Sequence, residues 1–294
     1  MSVAVVSSAP RAGTASLQDY LALLKLRIDA LVVCVALAAA VAAGTRSALS
    51  LAVLTAACLA ASAGASSLNH YLDRRLDARM PRTRRRPLPS GRVANPRIAL
   101  WLGIALVAAS QASAPVLGLA PAAYLLAGAL TYALVYTWWL KPRTSWNIVI
   151  GGAAGSFAAL AGWQTADSVA SPAPILLATV LLLWTPSHFW SLAIVLERDY
   201  RLAGLPMLSA VAGAQRTADA VVANTALLVA ASFALVPFVG WPYLVLAVPA
   251  GLGYLACTLW LRRRPDTRRA WRAFKLSGLY LLALLVGLAL TALV

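Results

Sequence analysis

The stretch Asn69-His70-Tyr71-Leu72-Asp73-Arg74-Arg75-Leu76-Asp77 ends a long apolar segment and holds two of the nine acidic residues in the chain. Asn69, Asp73 and Asp77 are spaced four residues apart, so on a helix they lie along one face. Two carboxylates and an amide oxygen suit a hard divalent cation such as Mg²⁺, and Mg²⁺ in turn suits phosphate oxygens. The pattern therefore suggests a metal and diphosphate site beside lipid.

The neighbouring residues weigh against a simpler interpretation of this stretch. The simpler interpretation is a helix end with capping aspartates and local ion pairs, such as Asp73 with Arg74 or Arg75. Ionised acids at a membrane edge are unfavourable unless something compensates them. Residues 79–92 supply that compensation, because they carry six arginines and no acidic residue.

Composition indicates a membrane protein. The chain is 61% hydrophobic and 12% charged, whereas a soluble domain of this length would carry about twice the charge. The first residues lack the apolar run of a signal peptide, so we expect a disordered tail over residues 1–20. We expect residues 21–294 to form a single transmembrane domain.

Apolar runs of about 20 residues are long enough to cross the bilayer. The sequence predicts an all-α membrane protein with nine spans around a central cavity. The predicted spans are 28–44, 48–68, 97–114, 116–138, 146–163, 173–195, 219–239, 242–261 and 276–294.

The positive charges fix the predicted orientation. Every Lys and Arg except Arg46 falls in the N-terminal segment or in alternate loops on the same side. This distribution is typical of the positive-inside rule, and it predicts a cytoplasmic N-terminus and an external C-terminus. A net charge of +16 could also indicate a nucleic-acid partner. Because topology and anionic lipid account for the charge, we expect a multi-pass protein of the cell membrane with no nucleic-acid partner.

In the stretch that begins at Asn69 and in three others the chain resembles a known family, the UbiA superfamily of intramembrane prenyltransferases. The Asn69-x3-Asp73-x3-Asp77 spacing is similar to the first aspartate-rich motif of that superfamily. The continuation resembles the heme O synthase branch, and it reads Arg82-Thr83-x-x-Arg86-Pro87-Leu88-Pro89-Ser90-Gly91.

Three further segments resemble the same branch. The first is similar to a Lys-Pro-Arg motif with Leu in place of Pro, and it reads Lys25-Leu26-Arg27. The second begins Tyr136-Thr137-x-x-Leu140-Lys141-x-Arg143-Thr144 and continues with Asn147-Ile148-Val149-Ile150-Gly151-Gly152-Ala153-Ala154-Gly155. The third begins Trp184-Thr185-Pro186-Ser187-His188-Phe189-Trp190 and continues with Asp199-Tyr200-x-x-Ala203-Gly204-Leu205-Pro206-Met207-Leu208. Four motifs in this order make the resemblance specific over residues 20 to 290.

The resemblance implies a second acidic motif that faces the same cavity as the first. The second motif here is residues 197–200. Val195 stands four residues before Asp199, so a full Asp-x3-Asp spacing is missing, and Asp199 is a better candidate than Glu197. An ordinary loop acid paired with Arg198 or Arg201 remains the alternative.

The resemblance also implies roles for individual residues. Mg²⁺ would be held by Asn69, Asp73, Asp77 and Asp199, and the three aspartates would be catalytic. The implied substrate-binding residues are Lys25, Arg27, Arg82, Arg86, Lys141, Arg143, His188 and Tyr200. Membrane topology alone is the alternative for the basic residues, which would otherwise clamp a diphosphate or heme propionates.

We expect different roles for the two histidines. His188 lies within a predicted span, where a histidine is a functional hypothesis by default. It either bonds to a neighbouring helix or orients heme by ligating the iron through a neutral imidazole. We expect His70 to pack or to form a local hydrogen bond.

The implied reaction transfers a farnesyl group from farnesyl diphosphate to a vinyl group of heme B. Two alternatives stay open, namely prenylation of a quinone precursor or chlorophyll-like ring, and transport. The lipid bilayer is an expected partner, and the downstream heme-modifying or oxidase-assembly machinery is a further candidate.

Overall fold

A computed structural model describes residues 15–166 and 171–293, and these residues form helices and turns without a strand. The first helix, α1, is Leu17–Leu24, and it begins at a capping box between Ser16 and Asp19. The predicted disordered tail of residues 1–20 is therefore wrong at its end, because residues 17–20 are helical. Residues 1–14 of that tail lie outside the described residues.

The remaining elements follow one another with short connections. They are α2 Leu26–Ala42, α3 Ala48–Asp77, α4 Arg97–Ser110, α5 Ala114–Leu117, α6 Leu119–Leu130, the π-helix Thr131–Leu140, α7 Asn147–Gly151, α8 Ala153–Trp163, α9 Ala173–Val195, α10 Glu197–Leu202, α11 Leu208–Ala234, α12 Val236–Val239, α13 Trp241–Arg263 and α14 Thr267–Leu290. Two short 3₁₀ turns, Gln111–Ser113 and Thr291–Leu293, complete the described chain.

Helix lengths show a multi-pass membrane protein. In the part of the chain that the structure describes, seven helical segments are long and apolar enough to cross a membrane. Two further predicted spans coincide with shorter helical segments, the 17-residue α2 and the apolar segment Asn147–Trp163. The all-α membrane class is confirmed, whereas the count of nine spans and the orientation stay predictions.

Two helices extend beyond the predicted spans. α3 runs for 30 residues to Asp77, so the polar stretch of residues 69–77 is fully helical. α11 begins at Leu208 rather than near residue 219, and Gly213 interrupts its helical geometry with a φ of 81°. Arg216, which the sequence placed in a loop, is therefore helical.

The helices pack through small residues. Gly64 of α3 and Gly103 of α4 face each other, and a Cβ built on Gly64 would lie 2.8 Å from the Gly103 carbonyl oxygen. Small side chains of this kind let helix backbones approach closely in a membrane protein. Large apolar side chains such as Trp101 and Leu119 are exposed on the outside, where lipid would cover them.

The close approach of α8 to α2 at Gly162 predicts a measurable loss of stability when a side chain is added there. A Cβ on Gly162 of α8 would lie 2.0 Å from the carbonyl oxygen of Ala36 in α2. Because backbone cannot move aside cheaply, we expect Gly162→Ala to destabilise the protein by about 1–3 kcal/mol. Thermal unfolding in detergent would measure the loss. Gly253→Ala is the control, since its Cβ would meet no described atom within 4 Å, and equal melting of the two variants would contradict the prediction.

Candidate active site

Three polar side chains line one face at the end of α3. Asn69, Asp73 and Asp77 are 3%, 1% and 1% exposed, so the i, i+4, i+8 pattern points into the protein. The amide nitrogen of Asn69 donates to Asp73 Oδ2 at 2.9 Å, which couples the first two residues directly. Carboxylates buried to this degree need compensating charge.

Each of these three side chains contacts a different basic residue. Lys25 Nζ donates to Asn69 Oδ1, and Lys141 Nζ forms an ion pair with Asp73 Oδ2. Arg86 pairs with Asp77 Oδ2 at 2.8 Å. These basic groups come from the α1–α2 junction, from the end of the π-helix and from the turns after α3.

The acidic residues retain free oxygen atoms. Asp73 Oδ1 and Asp77 Oδ1 are buried, and neither accepts a hydrogen bond from any described residue. Buried acceptors without partners are uncommon, and two hard oxygens on one helix face fit a divalent cation. The described residues contain no cluster of three or more His, Cys, Asp or Glu side chains that could hold a metal. The two α3 aspartates therefore each keep one free carboxylate oxygen on the same helix face, while the Asn69 oxygen is engaged by Lys25.

A π-helix forms the second wall of the site. Over Thr131–Leu140 the helix widens, and its backbone bonds join residues five apart. Thr137 accepts from Asn69 Nδ2 at 2.9 Å, and the Tyr132 hydroxyl accepts from Lys25 Nζ at 3.2 Å. Lys141 follows the last π turn. The sequence did not predict a role for Tyr132. An aromatic residue in an apolar run does not indicate that the helix there is a π-helix, and so it does not indicate which way the side chain points.

Lys25 reaches the site through an unusual backbone conformation. With φ 52° and ψ 44°, it is the one described non-glycine residue with positive φ. Such strained conformations are concentrated at functional sites. Burial is the main cause that lowers the pKa of Lys25 to about 8, and Arg86 acts in the same direction. Lys25 and Arg86 thus share one electrostatic environment.

The second acidic motif forms the short helix α10. Glu197 pairs with Arg201 at 2.6 Å, which is the local pairing that the sequence left open. Asp199 is half-buried and forms no ion pair with any other described residue. Its contact with the α3 aspartates therefore stays a prediction.

Tyr200 connects α10 to the turns that follow α3. Its ring is 3% exposed and packs in one apolar cluster with Met80 and Tyr136. Burial raises the pKa of the Tyr200 hydroxyl, and Arg82 and Arg86 act in the opposite direction. Tyr200, a predicted substrate-binding residue, thus lies within electrostatic reach of the arginines in the turns after α3.

Three predicted basic residues lie outside this cluster. Arg27 and Arg82 are exposed, and their side chains form no hydrogen bond or ion pair within residues 15–166 and 171–293. Arg143 donates to the carbonyl oxygens of Trp138 and Trp139 at 3.0 and 2.8 Å, which caps the end of the π-helix. These side chains therefore do not meet the α3 acids directly.

His188 lies on the side of α9 that faces α14. Its Nδ1 is 2.6 Å from Ser277 Oγ, and that hydroxyl itself donates to the Phe274 carbonyl oxygen. Since the serine proton is already engaged, Nδ1 carries the hydrogen and Nε2 keeps its lone pair. Trp184 and Phe274 flank the ring at centroid distances of 4.4 and 4.3 Å. The expected bond to a neighbouring helix is present, and a neutral nitrogen is left over.

His70 packs in the protein interior, which is one of the two outcomes expected for it. It is 2% exposed, and neither of its ring nitrogens has a hydrogen-bond partner among the described residues. It packs without the predicted local hydrogen bond.

An apolar cavity of about 250 Å³ adjoins the polar cluster. Tyr132 lines it and also accepts from Lys25, so the two regions share a wall. Helices α2, α3, α6, α7, α8 and α9 and Tyr136 of the π-helix contribute the remaining wall, with side chains that include Ile28, Val32, Ala61, Ala65, Leu125 and Phe189. The site therefore joins a charged end to an apolar interior.

Comparison with known proteins identifies the class. A model of the UbiA prenyltransferase family matches residues 30–290. A protoheme IX farnesyltransferase 1 of Cenarchaeum symbiosum is 43% identical over 227 residues, which cover 76% of each chain. Another, from Paramagnetospirillum magneticum, is 45% identical over 226 residues, covering 74% of this chain and 78% of its own. The chain therefore belongs to the UbiA prenyltransferase family, and the resemblance drawn from the four motifs is confirmed.

The fold agrees with this assignment. The structure of a UbiA homologue from Archaeoglobus fulgidus bound to DMAPP and Mg²⁺ matches with a TM-score of 0.68. The match covers 92% of this chain and 99% of that one at 18% sequence identity. Helix arrangement is thus shared despite low sequence similarity.

The geometry predicts different effects for two adjacent arginines. Because Arg86 pairs with buried Asp77, we expect Arg86→Ala to weaken binding of a prenyl diphosphate roughly tenfold to a hundredfold. Arg85→Ala is the matched control, since its exposed side chain forms no ion pair in the part of the chain that the structure describes. Equilibrium binding of a labelled diphosphate to both folded variants would measure the difference. Equal affinities would contradict the prediction.

Proposed function

We propose that this chain is a heme O synthase, which transfers a farnesyl group from farnesyl diphosphate to a vinyl group of heme B. The observation that carries the proposal is identity above 40% to protoheme IX farnesyltransferases over three quarters of the chain. The juxtaposed charged cluster and apolar cavity supply the two environments that a prenyl diphosphate requires.

The charged cluster suits the diphosphate end of the substrate. Asp73 and Asp77 would hold Mg²⁺ through their free oxygens, with Asp199 as a further ligand and Asn69 available if Lys25 moves. The bound metal would withdraw negative charge from the leaving diphosphate. The DMAPP and Mg²⁺ bound to the Archaeoglobus homologue support this assignment.

The three inner basic residues would neutralise the remaining negative charge. Lys25, Lys141 and Arg86 already lie against the acidic face, so they are positioned before substrate arrives. This preorganisation favours a transition state in which charge collects on the leaving group. We assign Arg27, Arg82 and Arg143 to the rim, where propionates of an incoming heme would meet exposed cations.

The apolar cavity suits the isoprenoid chain and excludes water from it. As the C1–O bond breaks, diphosphate departs and an allylic cation forms, which premature water would destroy. The terminal vinyl carbon of heme B bonds to C1, and the positive charge moves to the inner vinyl carbon. Water adds there and loses a proton, which gives the hydroxyethylfarnesyl product.

His188 is the proposed contact for heme. Its Nε2 lone pair is suited to iron, because Ser277 fixes the hydrogen on the other ring nitrogen. Trp184 and Phe274 offer flat apolar surfaces beside it. Tyr200, near the arginines in the turns after α3, would contact the same substrate from the α10 side.

We further infer a nine-span topology in the cell membrane, with the N-terminus in the cytoplasm. The distribution of Lys and Arg supports it, since only Arg46 departs from the positive-inside pattern. Both substrates have large apolar portions, so a site open to the bilayer would let those portions enter without crossing water. The heme-modifying or oxidase-assembly machinery downstream would receive the product.

Expression in a bacterium that lacks heme O tests the function directly. We expect mass analysis of extracted heme to detect heme O, and purified protein to farnesylate heme B but not 4-hydroxybenzoate. Asp73→Asn combined with Asp77→Asn, or removal of divalent metal by EDTA, should abolish product. Asp219→Asn, at an exposed pair with Arg262, is the control and should keep activity. A product on 4-hydroxybenzoate alone would reject the heme acceptor in favour of a quinone precursor.

The role of His188 has a separate readout. We expect His188→Ala to abolish the absorption change on adding heme B, while farnesyl diphosphate binds with unchanged affinity. Ser277→Ala should weaken heme binding less, because it removes only the group that orients the ring. Heme binding that survives His188→Ala would contradict iron ligation.

A further inference from the structure

A third buried acid, Asp29, lies beside the cavity and has no part in the mechanism described above. Asp29 is in the first turn of α2 and is 0% exposed. Its Oδ1 accepts from Ser62 at 2.6 Å and lies 3.4 Å from Ser66 Oγ. Its Oδ2 has no hydrogen-bond partner among the described residues. A carboxylate this deep is costly to maintain, so a function is the default hypothesis.

The two serines stand between this acid and the cavity. Ser62 and Ser66 both line the cavity, and Ile28 and Val32 flank Asp29 on the same wall. Each serine directs its hydroxyl hydrogen toward the carboxylate. Their oxygen lone pairs therefore remain available, and the negative charge behind them strengthens their electron-rich character.

The position of the serines along α3 relates them to the diphosphate cluster. Ser62, Ser66, Asn69 and Asp73 follow one another at spacings of four, three and four residues, so they share one helix face. Ser66 lies seven residues before Asp73, which is about 10 Å along the axis. A prenyl chain whose diphosphate is held at Asp73 would lay its first isoprene unit across Ser66.

We propose that Asp29, acting through Ser62 and Ser66, stabilises the allylic cation that forms from the prenyl diphosphate. The inference rests on the proposed function for the substrate and adds a positioning residue to it. Positive charge in an allylic cation is divided between C1 and C3, so the first isoprene unit is where opposite charge helps most.

The indirect arrangement has a chemical advantage. A carboxylate oxygen in contact with the cation would bond to it and form an ester. Serine hydroxyls in between keep the acid out of bonding distance, while its field still acts across the low-dielectric cavity. No proton or electron moves to Asp29, and the C1–O bond breaks and the C1–vinyl bond forms as described above.

A cationic analogue tests the proposal without heme. The probe is an ammonium analogue of the farnesyl chain with nitrogen in place of C3, bound together with inorganic pyrophosphate and Mg²⁺. We expect Asp29→Asn to bind this probe roughly tenfold or more weakly, because one unit of opposite charge is lost nearby. A neutral carbon analogue of equal length should bind both proteins equally. Ser66→Ala should show a smaller effect in the same direction.

Controls separate this role from a structural one. Ser67→Ala removes an adjacent buried serine that donates to the Ala99 carbonyl oxygen, outside the cavity wall, and should bind both analogues like the parent protein. In single turnovers with farnesyl diphosphate and heme B, Asp29→Asn should lower the rate constant at saturating farnesyl diphosphate and leave the concentration that gives half of that rate nearly unchanged. Equal binding of the cationic probe by Asp29→Asn and parent, or equal weakening of both probes, would overturn the proposal. Failure to form heme O, with the probe result intact, would reject the acceptor alone.

Discussion

The buried acidic face of α3 is the constraint on which the site depends. Carboxylates at Asp73 and Asp77 are excluded from solvent, and such charges are tolerated only with partners close by. The partners come from three separate segments. The ion pairs of Lys141 and Arg86 and the hydrogen bond from Lys25 to Asn69 therefore join the end of the π-helix, the turns after α3 and the α1–α2 junction to one face of α3. Removing either acid would leave its basic partner, Lys141 or Arg86, without its counter-charge, which links the integrity of the fold to the chemistry of the site.

The same arrangement explains how one site can hold a substrate with two contrasting ends. Basic groups gathered around acids provide a charged environment in which a metal and a diphosphate can exchange for existing contacts. The shared wall at Tyr132 passes directly into an apolar space between helices. The site therefore changes from polar to apolar across Tyr132. The substrate would be oriented because its charged end favours the polar side and its hydrocarbon end favours the apolar side, rather than by many specific contacts.

Sequence patterns predicted the parts that depend on local spacing. The helical face of Asn69, Asp73 and Asp77 and the all-α class followed from periodicity and composition. The partners of that face did not, since Lys141 reaches Asp73 through a π-helix and Lys25 through a left-handed backbone. Neither conformation has a signal in residue type. Asp29 was visible as one of nine acids, but its serine partners on another helix depend on tertiary packing.

The π-helix also has a consequence for how this protein can vary. Each π turn accommodates more residues than an α turn, so deleting one residue from Thr131–Leu140 would let the segment relax to the more regular α form. The backbone would gain better hydrogen bonds, yet the rise and rotation along the segment would change, and the residues beyond it would lie at a different position relative to α3. Lys141 would then leave Asp73. Chain length in this segment is therefore constrained more tightly than the identity of most of its side chains, and substitutions should be tolerated where insertions and deletions are not.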